Sequence, residues 1–205
     1  MTTAYDMTIK ELQDAATAAG LNYEIWWVLK SSDTRPKYID VMNRYHGYFM
    51  VAIHAHFVAM LLALYRIYET RDDTHNFPTL LDRLEADGAL DAVVVDSLRA
   101  QHKALKPLWV KVSILRNDVF GHRSLKLDTD AAFAKAGVTG NELKELVERT
   151  KAMLNELTGA LRDSMHAFNL SATRDTLRML DDLKAKGASA LTIRSTPTGR
   201  ERPAG

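Results

Sequence analysis

The sequence predicts an all-α protein, a helical bundle built around one long spine helix. Three observations carry this expectation. Apolar residues recur at helical spacing almost throughout, and no alternating run bounded by turn signals suggests a strand. Gly47 to Tyr65 then forms a stretch of nineteen residues without a formal charge near the middle of the chain.

Each element has a local reason. Thr8 and Glu11 have capping-box spacing and predict a first helix running to about Lys30. Ser31 to Lys37 reads as a connector, because Ser, Asp and Pro cluster there and Pro36 disfavours helix at Arg35. The spine is expected from about Tyr38 to Glu69, ended by the polar stretch Thr70 to Pro78. A short helix from about Thr79 to Glu85, a turn at Asp87-Gly88 and a helix from about Leu90 to Leu105 follow. Pro107 fits the first turn of the next helix, where its missing N–H costs nothing, and that helix stops at Gly121. Thr139 and Glu142 repeat the capping box ahead of a long amphipathic helix. Its stripe reads Leu143, Leu146, Val147, Met153, Leu154, Leu157, Leu161, Met165 and Phe168. Ser171 is the expected cap of a last helix ending near Gly187. Residues 1–186 read as one domain, and 187–205, with its Arg, Pro and Gly, as a disordered tail.

Composition narrows the function. The 205 residues hold 27 Lys plus Arg against 26 Asp plus Glu, a net charge of +1, which excludes a histone-like basic binder but not a local basic patch. With no Cys there is no disulfide framework, thiolate metal site or cysteine nucleophile. No secretory pattern opens the chain, so a cytoplasmic setting is expected. The Gly47–Tyr65 run approaches the roughly 20 residues of a membrane span. His54 and His56 at its centre, and the lack of a second such segment, favour a buried core helix and no membrane.

The helix from Pro107 to Phe120 carries the chemistry. Leu108, Val112, Leu115 and Val119 form one stripe with Arg116 beside it, and Val110 and Ile114 form a second edge next to Asn117. A glycine at 121 lets the chain fold back, so that Arg116, Asn117 and His122 can converge at a helix C-terminus. Arg can hold a phosphate in its planar fork, Asn can donate to a phosphate oxygen, and His can move protons near neutrality. These are the parts for metal-independent RNA cleavage by attack of the 2′-hydroxyl on its own phosphate.

The stretch Leu115 to Ser124, LRNDVFGHRS, resembles the R-x-x-x-x-x-H motif of the HEPN superfamily, including the polar residue after the arginine. The preceding apolar helix, the Asp/Thr-rich break and the short helix resemble the superfamily's abortive-infection U branch, over about Tyr45 to Ser124. The resemblance implies a helical bundle, Arg116, Asn117 and His122 in the catalytic positions, and a homodimer with the two motifs facing each other. Gly121 departs mildly from the commoner alanine before the histidine. The expected function is a cofactor-free RNA endonuclease in bacterial defence or as a toxin, with an RNA substrate and an antitoxin or other regulator as partner. The alternative is a non-catalytic module of the same fold binding RNA, a nucleotide or a protein; a third reading is a structural or membrane-associated helical protein.

Remaining polar residues have two readings each. Arg123 and Lys126 could touch RNA phosphates or simply be solvated. His54 and His56 diverge by about 200° on a helix, which disfavours a shared metal; His54 is expected in the core or bonded to a neighbour, with a place near the RNA site open. Trp26 and Trp27 could stack bases, but at least one is expected in the core or a dimer contact. There is no Glu-x-x-His pair of the di-metal bundles and no Gly-rich phosphate loop.

Overall fold

The computed structural model describes residues 5–117 and 134–194, with side chains through 187. Every regular element among these residues is helical: α1 (Asp6–Lys30), α2 (Arg35–Arg44), α3 (His46–Tyr68), α4 (Phe77–Ala86), α5 (Ala92–Leu115), α6 (Gly140–Arg162) and α7 (Thr173–Arg194). α1 lies along α3 and also packs on α6, while α5 bridges α3 and α6. α2 and α7 pack together at one side.

The buried set falls into two clusters. The larger joins Ile9, Leu12, Ala16 and Ala19 of α1 to Met60, Leu64 and Ile67 of α3, with α4, α5 and α6 closing around them. The smaller joins Val28 and Leu29 at the end of α1 to Tyr38, Val41 and Met42 of α2, Phe49 of α3 and Leu180 of α7. Each fully buried aliphatic side chain contributes about 1.5–3 kcal/mol by leaving water.

Several expected boundaries are corrected. The first helix starts at Asp6, without a side-chain cap; the Thr8 hydroxyl is turned inward to His75 Nδ1 at 2.8 Å and forms no capping box. The expected spine is two helices. Tyr45, at φ −113° and ψ 40°, separates α2 from α3, and α2 begins earlier than expected because Pro36 sits in its first turn. The bonds from Tyr45 N–H to Val41 C=O and from Phe49 N–H to Tyr45 C=O survive the break. It re-aims α2 so that Tyr38, Val41 and Met42 enter the second cluster.

α4 starts at Phe77, where the Asn76 side chain accepts from Thr79 N–H at 2.9 Å. α5 runs unbroken through Pro107. Both Pro107 and Lys103, whose carbonyl loses its partner, lie on the solvent face, where water can serve it.

The box at Thr139 and Glu142 is complete in both directions. α6 ends at Arg162, followed by Asp163 in the left-handed region, so Met165 lies outside the helix and exposed, while Phe168 folds back onto the core. The cap of α7 is not Ser171 alone. The Glu24 carboxylate of α1 accepts from the Ala172 and Thr173 backbone N–H groups and from the Ser171 and Thr173 hydroxyls. α7 continues past Gly187 to Arg194, so the first part of the expected tail is helical; 195–205 lie outside the described residues.

α3 is not buried along its whole length. Its C-terminal half is core, but Tyr48, Met50 and Val51 are exposed, as is His54, which is therefore not a core residue, the first of the two places expected for it. By length and composition His46–Tyr68 could cross a membrane, with 28% of its apolar window buried. Among the described residues no other helix meets that test.

Candidate functional site

Arg116 sits where α5 ends. Its backbone N–H reaches the carbonyls of both Ser113 and Val112, and Arg116–Asn117 widen into a π-type turn. The Arg116 side chain is half-buried and Asn117 is exposed. The guanidinium lies over the Tyr65 ring of α3, 4.3 Å from its centre, and Nη1 donates to Asn117 Oδ1 at 2.8 Å.

Behind Arg116 the α3–α5 seam is a file of rings. Trp109, two turns earlier on α5, stacks on Tyr68 at 6.1 Å with planes 10° apart. His102, two turns earlier again, stacks on Tyr68 at 5.6 Å and on Phe77 at 5.9 Å. Thr150 donates its hydroxyl to Leu146 C=O, so the Tyr68 hydroxyl is the donor to Thr150 Oγ1 at 2.6 Å. Burial raises the Tyr68 pKa. Burial also lowers that of His102, aided by the nearby charges of Arg99 and Lys106. His102 Nε2 and Trp109 Nε1 are buried with no hydrogen-bond partner. This seam holds α5 against α3, the helix that carries Tyr65 beneath Arg116.

Of the residues expected at the site, Arg116 and Asn117 are together. His122, Arg123 and Lys126 lie outside the described residues. Tyr65 escaped the sequence reading, since half a hundred residues separate it from Arg116. His56 was also undervalued. Its Nδ1 meets Asn22 Oδ1 at 2.7 Å while Asn22 Nδ2 donates to Ala18 C=O at 2.8 Å. Asn22 Oδ1 can only accept, so His56 carries its proton on Nδ1; burial lowers its pKa. His56 lines a cleft of about 280 Å³ with Tyr48, Asp175 and Met179.

Trp26 and Trp27 belong to the core edge. Trp26 packs on Phe57 at 5.2 Å, and Trp27 stacks on Tyr23 at 6.0 Å. Trp27 also covers Gly140, where an added Cβ would stand 2.0 Å from its ring. Among the described residues no group of three or more His, Asp or Glu is placed to hold a metal ion.

No curated protein and no solved structure matches the chain significantly. The model of one family, the HEPN family AbiU2, matches residues 5–185 and so takes in every helix from α1 to most of α7. With that span matched and the bundle all-helical, the chain belongs to the AbiU2 family of the HEPN superfamily.

Proposed function

We propose that this protein is a metal-independent RNA endonuclease with a defence or toxin role in the cytoplasm. The observation that carries the reading is the placement of Arg116. Its guanidinium is half-buried over Tyr65 at the end of α5. Asn117 is bonded to it, and the motif continues to His122. Family membership supports a nuclease or a related module of this fold.

In the proposed reaction the 2′-hydroxyl of a ribose attacks the adjacent phosphorus, and the bond to the 5′-oxygen breaks. The products are a 2′,3′-cyclic phosphate and a free 5′-hydroxyl. His122 transfers a proton, and the Arg116 fork stabilises the charge that grows on the pentacoordinate phosphate. Asn117 holds the guanidinium through its Oδ1, and its amide N–H groups can donate to a phosphate oxygen. One chain supplies one copy of each group, so the reading includes a homodimer with the two motifs facing a shared cleft. An antitoxin or other regulator would restrain the activity.

A second reading has its own observation. The Arg116 guanidinium already has Tyr65 and Asn117 as partners, which also suits a non-catalytic module binding RNA, a nucleotide or a protein.

The deciding experiment is cleavage of total bacterial RNA in excess EDTA by wild type beside His122→Ala. Cleavage by wild type alone is expected, with the same Tm and the same dimer in sedimentation. No cleavage by either protein favours the binding module. Equal cleavage by both overturns the assignment of this site.

A further inference from the structure

The break at Tyr45 opens a cleft of about 180 Å³ between the end of α1, α2 and the start of α3. Its walls carry Lys30, Arg35, Asn43 and His46, and its floor is apolar, with Met42, Phe49, Met50 and Ile53 among the lining side chains. No acid is among the residues that line it. Lys30 and Arg35 have no acidic partner among the described residues.

Two cations, an amide and an imidazole above an apolar floor suit an anion joined to a flat apolar group. That is the chemistry of a nucleotide, its phosphate at Lys30 and Arg35 and its base against Met50 and Ile53. The cleft is also placed to serve the Arg116 site. His46, Met50, His54, Val58 and Leu62 form one i+4 row on α3, and Tyr65, which carries Arg116, follows one turn on. His46, Met50, His54 and Leu62 are exposed and Val58 is half-buried. From His46 to Tyr65 the helix rises about 28 Å, a few nucleotides of extended single strand.

We propose that the α2–α3 cleft is a nucleotide-binding subsite that grips the RNA strand upstream or downstream of the scissile bond, with the phosphate held by Lys30 and Arg35. This rests on the RNA reading of the Arg116 site. The strand leaves the cleft along the exposed row of α3 and reaches Arg116 at its far end. Because the cleft is small and local, it grips RNA without the broad positive surface that the near-neutral net charge rules out.

The test is binding of a short 2′-O-methyl RNA, which lacks the attacking hydroxyl and cannot be cleaved. Binding is followed by fluorescence anisotropy between about 50 and 200 mM salt. The Lys30→Gln/Arg35→Gln double variant is expected to bind about tenfold more weakly, and its salt slope to fall by about 0.7, one single-strand phosphate's worth. Its Tm should match wild type, since both side chains are exposed. Unchanged affinity and slope overturn the proposal. Adenosine monophosphate and inorganic phosphate form the second arm. If either binds wild type but not the double variant, while RNA binding is unaffected, the cleft is a free-nucleotide or simple anion site and the proposal fails. Cleavage by wild type and His122→Ala is scored separately. A protein that does not cleave yet shows the altered slope retains the subsite and loses only the nuclease reading.

Discussion

Arg116 owes its position to a side chain on another helix. The Tyr65 ring 4.3 Å beneath the guanidinium contributes about 1 kcal/mol of cation–π attraction at a half-exposed site. Tyr65→Leu is therefore expected to lower kcat for RNA cleavage by about fivefold with little change in KM, and Tyr65→Phe to restore it. An equal loss in both variants would show that the hydroxyl, not the ring face, matters. The arginine and its neighbour were legible because they are adjacent in a short motif. Tyr65 was not, because its role depends on how α3 and α5 pack. Glu24 was hidden for the same reason. Burial pushes its carboxyl pKa up, but hydrogen bonds from Ser171, Thr173 and Ala172 outweigh that and leave it below the ordinary value. A carboxyl depressed on folding adds stability above its unfolded pKa and loses it as the pH falls through the folded one. Glu24→Gln is expected to cost about 1 kcal/mol near neutral pH, as loss of a helix cap does. Urea titrations from neutral to acid pH should show the wild-type and variant curves converging below the ordinary glutamate range.

At the scale of elements, local chemistry was readable and long-range chemistry was not. The Thr139–Glu142 box formed as spaced because both partners lie within one turn. The same spacing at Thr8 failed because His75, from the loop before α4, competes for the hydroxyl. The break at Tyr45 left no mark in the sequence, since the flanking backbone bonds persist and the residues on both sides suit a helix. Pro107 misled in the opposite sense, for a proline on a solvent face can be tolerated inside a helix when water takes over the freed carbonyl. Pro107→Ala should restore the N–H bond and raise stability by about 1–3 kcal/mol, read as a higher Tm. A lower Tm would overturn this account of Pro107. Gly140 is a close-approach position. Gly140→Ala would drive a methyl into the Trp27 ring and is expected to cost about 1–3 kcal/mol in chemical denaturation.

At the scale of the whole molecule, the described residues form two cores of unequal size, and they need not open together. The smaller one, through Tyr38, Val41 and Leu180, is tied down at its surface by the Tyr38 hydroxyl on Asp181 at 2.9 Å and by Lys184 on the Lys37 carbonyl at 3.0 Å. Native-state hydrogen exchange is expected to release the amides of α2 and α7 at lower free energy than those of α1, α3 and α6. Uniform protection from α1 to α7 would mean a single cooperative unit. The fold class was legible because helical periodicity runs through the whole chain, whereas the division into two cores depends on a bend that periodicity does not register. The cap on α7 also has a consequence for the order of assembly. Glu24 and the Thr173 N–H it caps are 149 residues apart, so α7 gains its cap only when the two ends of the fold are brought together. A chain stopped just before α7 would leave that carboxylate, and the small core around Phe49, without the partner they have here.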